Sequence, residues 1–350
     1  MAVTLAEAKK NVQDDLQMGV IDEFQKNNWI LEHLTFDDCV SPTGGGATPT
    51  YAYTRLLTQP TAAFRAINNE YEPQTVTKQR YTVDIKVFGG SYEIDRVLAN
   101  FGGIISEVEL QQAQKIKAAQ ALFNDTFING DSAVNANAFD GLEKALAGSS
   151  TEFNTIAAGG SVIDLSTSEK IDANYKEFLD LLDEFLMGLD GTPSCIMGNT
   201  KLIAKLRACA RRASMYQVTK GTWGEQVESY GNIPFVDMKA KAGSNDDVIA
   251  TDNDGITSLY VARLGLDGLH GVSFAGVAPV QTWLPDFSTA GAVKKGEVEM
   301  NAAIALKATK AAGVFRNIKV KGAAEGATGE TDAEGATGAT GATGDTGEGG

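Results

Sequence analysis

The sequence predicts an α+β fold, on three observations. Residues 81–87 alternate apolar and polar side chains in the period of a half-buried strand, with Tyr81, Val83, Ile85 and Val87 on one face. Residues 105–127 change period, and Ile105, Val108, Gln112, Ile116, Ala119, Phe123 and Phe127 step by three or four, as one stripe of a helix does. Residues 298–306 return to alternation, with Val298, Met300, Ala302, Ile304 and Leu306 on one side. A late strand with no local partner must pair with something distant in the chain.

Taken in order, residues 1–50 read as an extended arm. It holds one short helical pattern broken near Gly19 and ends in the breaker cluster "SPTGGGATPT" at 41–50. Residues 51–88 read as a long two-stranded excursion, polar and turn-rich through "RLLTQPTAAFRAINNEYEP", with little core of its own. The helix expected over about 103–128 would be about 39 Å long at 1.5 Å per residue. It stops at the turn signal "NGD", 129–131. A stripe this narrow suits a helix lying across a sheet.

A second block opens with Asp172 near a helix cap, followed by a wide apolar face of Tyr175, Phe178, Leu179, Leu182, Phe185, Leu186 and Leu189. The short apolar strand "SCIMG" precedes "NTKLIAKLRACARRA". That segment is a helix with Asn199 or Thr200 as N-cap and Leu202, Ile203, Leu206 and Cys209 inside. Strands around "IPFVDM" and "SLYVARLG" complete a compact α/β unit.

The tail is of another kind. From Gly326, every third residue is glycine through Gly350 except Asp332. That is the sequence form of a collagen triple helix, in which only glycine fits at the axis. Against such a helix stand the absence of proline from the repeat, the break at Asp332 and the mutual repulsion of six acids per strand. A flexible, charged, solvent-facing brush is the other reading of residues 322–350.

Composition excludes several functions. The 350 residues are 43% hydrophobic with mean hydropathy −0.14, and no run approaches the roughly 18 apolar residues of a membrane span. The first residues carry charges where a secretory leader needs an apolar stretch, so none is expected. Formal net charge is −15; with the six tail acids set aside, the body keeps 39 acids against 30 bases. An acidic body argues against gripping nucleic acid through its phosphates, though not against enclosing it. Cys39, Cys195 and Cys209 form no CxxC pair, which signals reduced, buried thiols and cytosolic synthesis.

No catalytic, cofactor-binding or metal-ligating set emerges, and no enzyme is expected. His33 and His270 stand far apart in sequence without ligand-spaced companions. "GVSFAG" at 271–276 is one residue too long for a nucleophile elbow, and no phosphate-binding glycine loop exists. Asp252, Asp254 and Gly255 brush against a calcium loop, but Ala250 and Val261 occupy its first and closing positions, so a turn is expected. Lys201, Lys205, Arg207, Arg211 and Arg212 cluster on and after one helix; a solvated face, or an ion-pairing contact between subunits, is expected there rather than a nucleic-acid contact.

The order of these parts resembles the major capsid proteins of tailed bacteriophages, the Hong Kong 97-like capsid fold, which encapsulin shells share. The segments carrying the resemblance are "YTVDIKVFGGSYEIDRVLANFG", "GIISEVELQQAQKIKAAQALFNDTFINGD", "FDGLEKAL", "SCIMGNTKLIAKL", "YGNIPFVD" and "EVEMNAAIALKATKAAGVFRNIKV". The resemblance covers nearly all of residues 1–321. It implies an N-terminal arm (1–50), an E-loop (51–88), a P-domain (89–155 and 286–321, with a spine helix), an A-domain (156–285) and the appended tail (322–350). It also implies a structural subunit that forms hexamers and pentamers in an icosahedral shell in the virion, enclosing double-stranded DNA without reading its sequence. Expected partners are a separate scaffolding protein, a portal and decoration proteins. Some members of the family join a lysine to an asparagine; Lys78 or Lys86 and Asn317 have that chemistry, without a positional match. An encapsulin-type compartment and, from another class, a collagen-tailed surface adhesin are the alternatives.

Overall fold

The computed structural model describes residues 29–41, 48–99, 107–156, 160–215, 217–220 and 226–322. The arm's helical pattern with its break at Gly19, most of the glycine cluster, the first turn expected for the long helix with Ile105, and the repeat from residue 323 onward lie outside the described residues.

A short helix α1 (Trp29–His33) leads into β1 (Phe36–Val40). Strands β2 (Thr50–Leu56) and β3 (Lys78–Asp84) pair antiparallel as a separate two-stranded ribbon, in register from Thr50 opposite Asp84 to Leu56 opposite Lys78. Strand β4 (Lys86–Asp95) then enters the body, with the short α2 (Arg96–Ala99) behind it. The alternation expected to run unbroken through Val87 changes phase here. Tyr81, Val83 and Ile85 face inward, but in β4 the inward residues are Phe88, Tyr92 and Ile94, and Val87 is exposed. The chain turns from the ribbon into the sheet between Ile85 and Lys86. A one-residue slip in a period of two moves every later side chain to the other face.

The long helix α3 (Glu107–Asn129) packs across β4 and the late strand β14 (Val293–Leu306). Only its C-terminal half is deeply buried, through Ala119, Ala121, Phe123, Asn124, Phe127 and Ile128; Val108, Gln112 and Ile116 are half-buried. The stripe is therefore wider at one end than the spacing predicts, because a second helix, α4 (Leu142–Leu146), closes over that end. Strand β14 finds its distant partner in β4, antiparallel from Val293 opposite Asp95 to Ala302 opposite Lys86. Gly89 permits the closeness of that pairing, since a Cβ there would stand 2.0 Å from the Val298 carbonyl oxygen.

The remaining strands are β5 (Glu152–Asn154), β6 (Ile163–Asp164), β7 (Cys195–Gly198), β8 (Gln217–Lys220), β9 (Gln226–Tyr230), β10 (Ile233–Asp237), β11 (Ile256–Ala262), β12 (Leu269–Phe274), β13 (Val280–Trp283) and β15 (Ala312–Lys319). Strands β12 and β13 pair with β14, and β1 lies parallel to β12, giving a five-stranded sheet. An eight-stranded sheet runs β5-β15-β11-β7-β10-β9-β8, with β6 also on β15. Helices α5 (Ser168–Met187) and α6 (Thr200–Arg212) pack against it and against each other.

The centre of the eight-stranded sheet, β7, β11 and β15, is buried on both faces. Cys195, Met197, Tyr260, Ala262 and Val314 join the core that holds Phe123 and Phe127, while Ile196, Leu259, Val261 and Phe315 join the core of α5 and α6. That is why "SCIMG" reads as a plain apolar run. A strand covered on both faces has no polar side to alternate with.

Helix α6 is capped by Asn199, whose side chain accepts from the Leu202 N–H at 2.8 Å. Helix α5 begins earlier than its apolar face suggests. Thr167, in extended conformation, caps it by accepting from the Lys170 N–H, and Asp172 sits inside the helix, paired with Arg212 of α6. The first turn, Ser168–Lys170, is solvent-facing, so hydrophobic periodicity gives no sign of it.

Candidate functional site: an exposed ribbon and its anchorage

The residues weighed for chemistry do not converge. His33 is exposed, with Nδ1 2.9 Å from the Trp29 carbonyl oxygen and its ring stacked on Trp29. His270 lies wholly buried in β12, and burial, with Lys307 nearby, pushes its pKa down to about 4 against the opposing pull of Asp37. Asp252 accepts from the Ile256 N–H and Gly255 takes φ +82°, so the Asp-Asn-Asp-Gly segment is a turn. Among the described residues no group of three or more His, Cys, Asp or Glu is placed to hold a metal ion.

Burial pushes the Cys195 thiol up to about 12 and the Cys209 thiol up to about 11, which keeps both protonated and unreactive at neutral pH. The side chain of Cys39 lies outside the described residues. Four of the five bases of α6 are engaged within the chain, Lys201 with Asp247, Lys205 with the Ser166 carbonyl, Arg207 with Glu228 and Arg212 with Asp172, while Arg211 is exposed. These pairings lie inside the subunit rather than between subunits.

A polar knot ties α4 to the eight-stranded sheet. Arg316 on β15 lies between Glu143 (2.8 Å) and Glu152, and Tyr260 on β11 donates to Glu143. For Glu152 burial works to raise the pKa, yet the Gly148 N–H and the Arg316 guanidinium outweigh it and hold the carboxyl below its ordinary value. Asn317 adopts φ +65°, and its Nδ2 donates to Asn154 at 2.7 Å. Lys86 donates to the Ala136 carbonyl at 3.0 Å, and Lys78 is exposed at the end of β3. Lys86 and Asn317 thus have different partners within the subunit.

The feature that burial singles out is the ribbon. Between β2 and β3, residues 57–77 are exposed throughout, and Leu56, Leu57, Phe64, Ile67, Tyr71 and Val76 all present apolar surface; Ile67 is 89% exposed. Scattered exposed apolar residues are ordinary, but six in one excursion mark an interaction surface. At its base, Tyr51 and Ile85 join a small third core with Val40, Val272 and Ala305. The Tyr51 hydroxyl donates to Asp37 on β1 at 3.1 Å. Sequence shows the excursion but not this anchorage, since Val272 and Ala305 lie far along the chain from Tyr51 and Ile85.

The described residues thus hold an arm strand, a projecting ribbon, a long helix across a sheet and a second sheet flanked by helices, the order of parts that the capsid-fold resemblance implies. No protein-family model and no curated protein sequence matches the chain. Solved structures do. The holo-SrpI encapsulin complex of Synechococcus elongatus PCC 7942 aligns with a TM-score of 0.62 at 14% identity, over 91% of this chain and 97% of that one. The capsid of a native GTA particle aligns at 0.59 and 11% identity, over 91% and 99%. A structure of Mycobacterium phage Adephagia aligns at 0.54 and 11% identity, over 90% and 98%. The chain therefore has the Hong Kong 97-like capsid fold.

Proposed function

We propose that the chain is the major capsid protein of a tailed bacteriophage, a non-enzymatic subunit that closes into an icosahedral head of hexamers and pentamers around double-stranded DNA. The single observation that carries this reading is the ribbon. It exposes an apolar surface that none of the other described residues covers, on a fold shared with capsid shells. In a closed shell a neighbouring copy supplies the cover. The division into arm (1–50), E-loop (51–88), P-domain (89–155 and 286–321) and A-domain (156–285) follows from the same reading. The net negative body would keep packaged DNA from adhering to the wall, and the acidic repeat of residues 322–350 would stand outside it. A scaffold, a portal and decoration proteins are the partners such a head takes.

The likeness to an encapsulin, at a TM-score of 0.62, favours a second reading, a protein compartment without DNA. Negative-stain microscopy of the purified protein, alone and with a candidate scaffold, tests both. Closed shells tens of nanometres wide are expected, and persistent monomers under both conditions overturn either reading. Nuclease-protected DNA in shells recovered from lysed host cells separates the phage head from the compartment.

A further inference from the structure

The ribbon is a two-stranded sheet standing by itself, and such a pair is marginal in water without support. Within its two strands only Tyr51 is buried. Beyond the Tyr51 and Ile85 contacts at its base, one guanidinium ties it to the body. Arg55 Nε donates to the Lys307 carbonyl at 2.9 Å, and Nη2 donates to the Leu306 carbonyl and to the Tyr53 hydroxyl. Nη1 reaches the Thr309 hydroxyl at 3.4 Å. The Tyr53 hydroxyl donates to the same Leu306 carbonyl at 2.9 Å. The guanidinium also lies 4.3 Å from the centre of the Tyr81 ring, so both strands of the ribbon close on it. Leu306 ends β14 and Lys307 follows it, which makes the exit of that long strand a post to which the ribbon is bolted.

We propose that Arg55 is the positioning residue of the ribbon: bracketed to Leu306–Thr309, it sets the angle at which the excursion projects, and breaking the bracket frees the ribbon while the body stays folded. The planar fork explains the choice of residue. Three nitrogens donate at fixed angles from one delocalised cation that also stacks on an aromatic face, which a lysine ammonium cannot do. The consequence for assembly rests on the reading that the ribbon meets a second copy of the chain. A ribbon with no fixed angle would then meet its neighbour at no single curvature.

Hydrogen exchange on the dissociated full-length protein tests the bracket without reference to assembly. In Arg55→Met, amide exchange over 50–56 and 78–84 is expected to rise at least tenfold, with exchange in β7 and β11 unchanged as the internal control. Arg55→Lys keeps the charge but not the fork and is expected to behave alike. Ribbon exchange within twofold of the unaltered protein in Arg55→Met overturns the bracket, and so does native exchange in Arg55→Lys. Microscopy of assembled Arg55→Met then addresses the consequence: shells of mixed size or unclosed sheets support it. Uniform native shells from a protein whose ribbon exchanges fast overturn the role in curvature and leave the bracket standing.

Discussion

Phe123 and Phe64 are the same side chain in opposite surroundings, and the contrast separates folding from assembly. Phe123 is fully buried on the long helix, with ring centroids 5.6 Å from Phe139, 6.2 Å from Phe127, 6.3 Å from Phe36 and 6.4 Å from Phe88. It therefore joins β1, α3, β4 and the segment before α4 at one point. Truncation to alanine removes the buried ring and leaves a cavity among rigid aromatic neighbours, at a cost of about 3–5 kcal/mol. Domain stabilities are on the order of 5–15 kcal/mol, so the variant retains a folded but weakened body. With a urea m-value of about 3 kcal/mol per molar, the midpoint of the dissociated subunit should fall by about 1–1.7 M. Phe64 stands in solvent on the ribbon. Phe64→Ala should leave the same midpoint unchanged within about 0.5 kcal/mol, while lowering the yield of shells. A midpoint shift of less than about 0.3 M in Phe123→Ala, or a Phe64→Ala variant as destabilised as the core variant, would refute this division between core and surface.

Substitutions at two further positions probe buried polar groups. Asn199 caps α6 and also donates to the Ile249 carbonyl and to the hydroxyls of Thr251 and Thr257. Asn199→Ala should cost about 2–4 kcal/mol, one cap plus stranded buried partners, and thermal unfolding would read it. Asn199→Asp keeps the cap acceptor but sets a buried carboxylate against the Ile249 carbonyl oxygen, so it should cost at least as much as the alanine. His270 is neutral in the fold and protonates only near pH 4, whereas in the unfolded chain it protonates near 6.5. Because its folded pKa is depressed, the unfolded state binds the extra proton first, and stability falls as pH drops from about 6.5 to about 4. The loss amounts to roughly 3 kcal/mol. Asp37, Tyr51 and Lys307 surround it. In His270→Gln this slope should vanish from urea-unfolding data over that interval; an unchanged slope would place its origin elsewhere.

Much of the architecture is legible in the chain. The period of 3.6 at Phe123 and Phe127, the alternation at Val298–Leu306 and the N-cap at Asn199 are local signals, and each places its element within a few residues. The misses are also local. Val87 turns outward because the chain bends at Ile85, and α5 starts at Thr167 because a solvent-facing first turn carries no apolar mark. The candidate site was half legible. The polar excursion of residues 55–73 advertises a segment without a core, but nothing in sequence links Arg55 to Leu306.

The sequence by itself marked α3, α5, α6 and strands β3, β7, β10, β11 and β14, most of their inward faces, and a charged glycine repeat after the body, because period, capping and composition are properties of neighbours along the chain. Tertiary structure alone decided that β14 pairs with β4 two hundred residues away, that β7, β11 and β15 separate two cores, and that a single arginine aims the ribbon. Such pairings depend on which surfaces meet after the chain has closed long loops. Loop closure is nearly indifferent to the residues in between, so no local pattern records them.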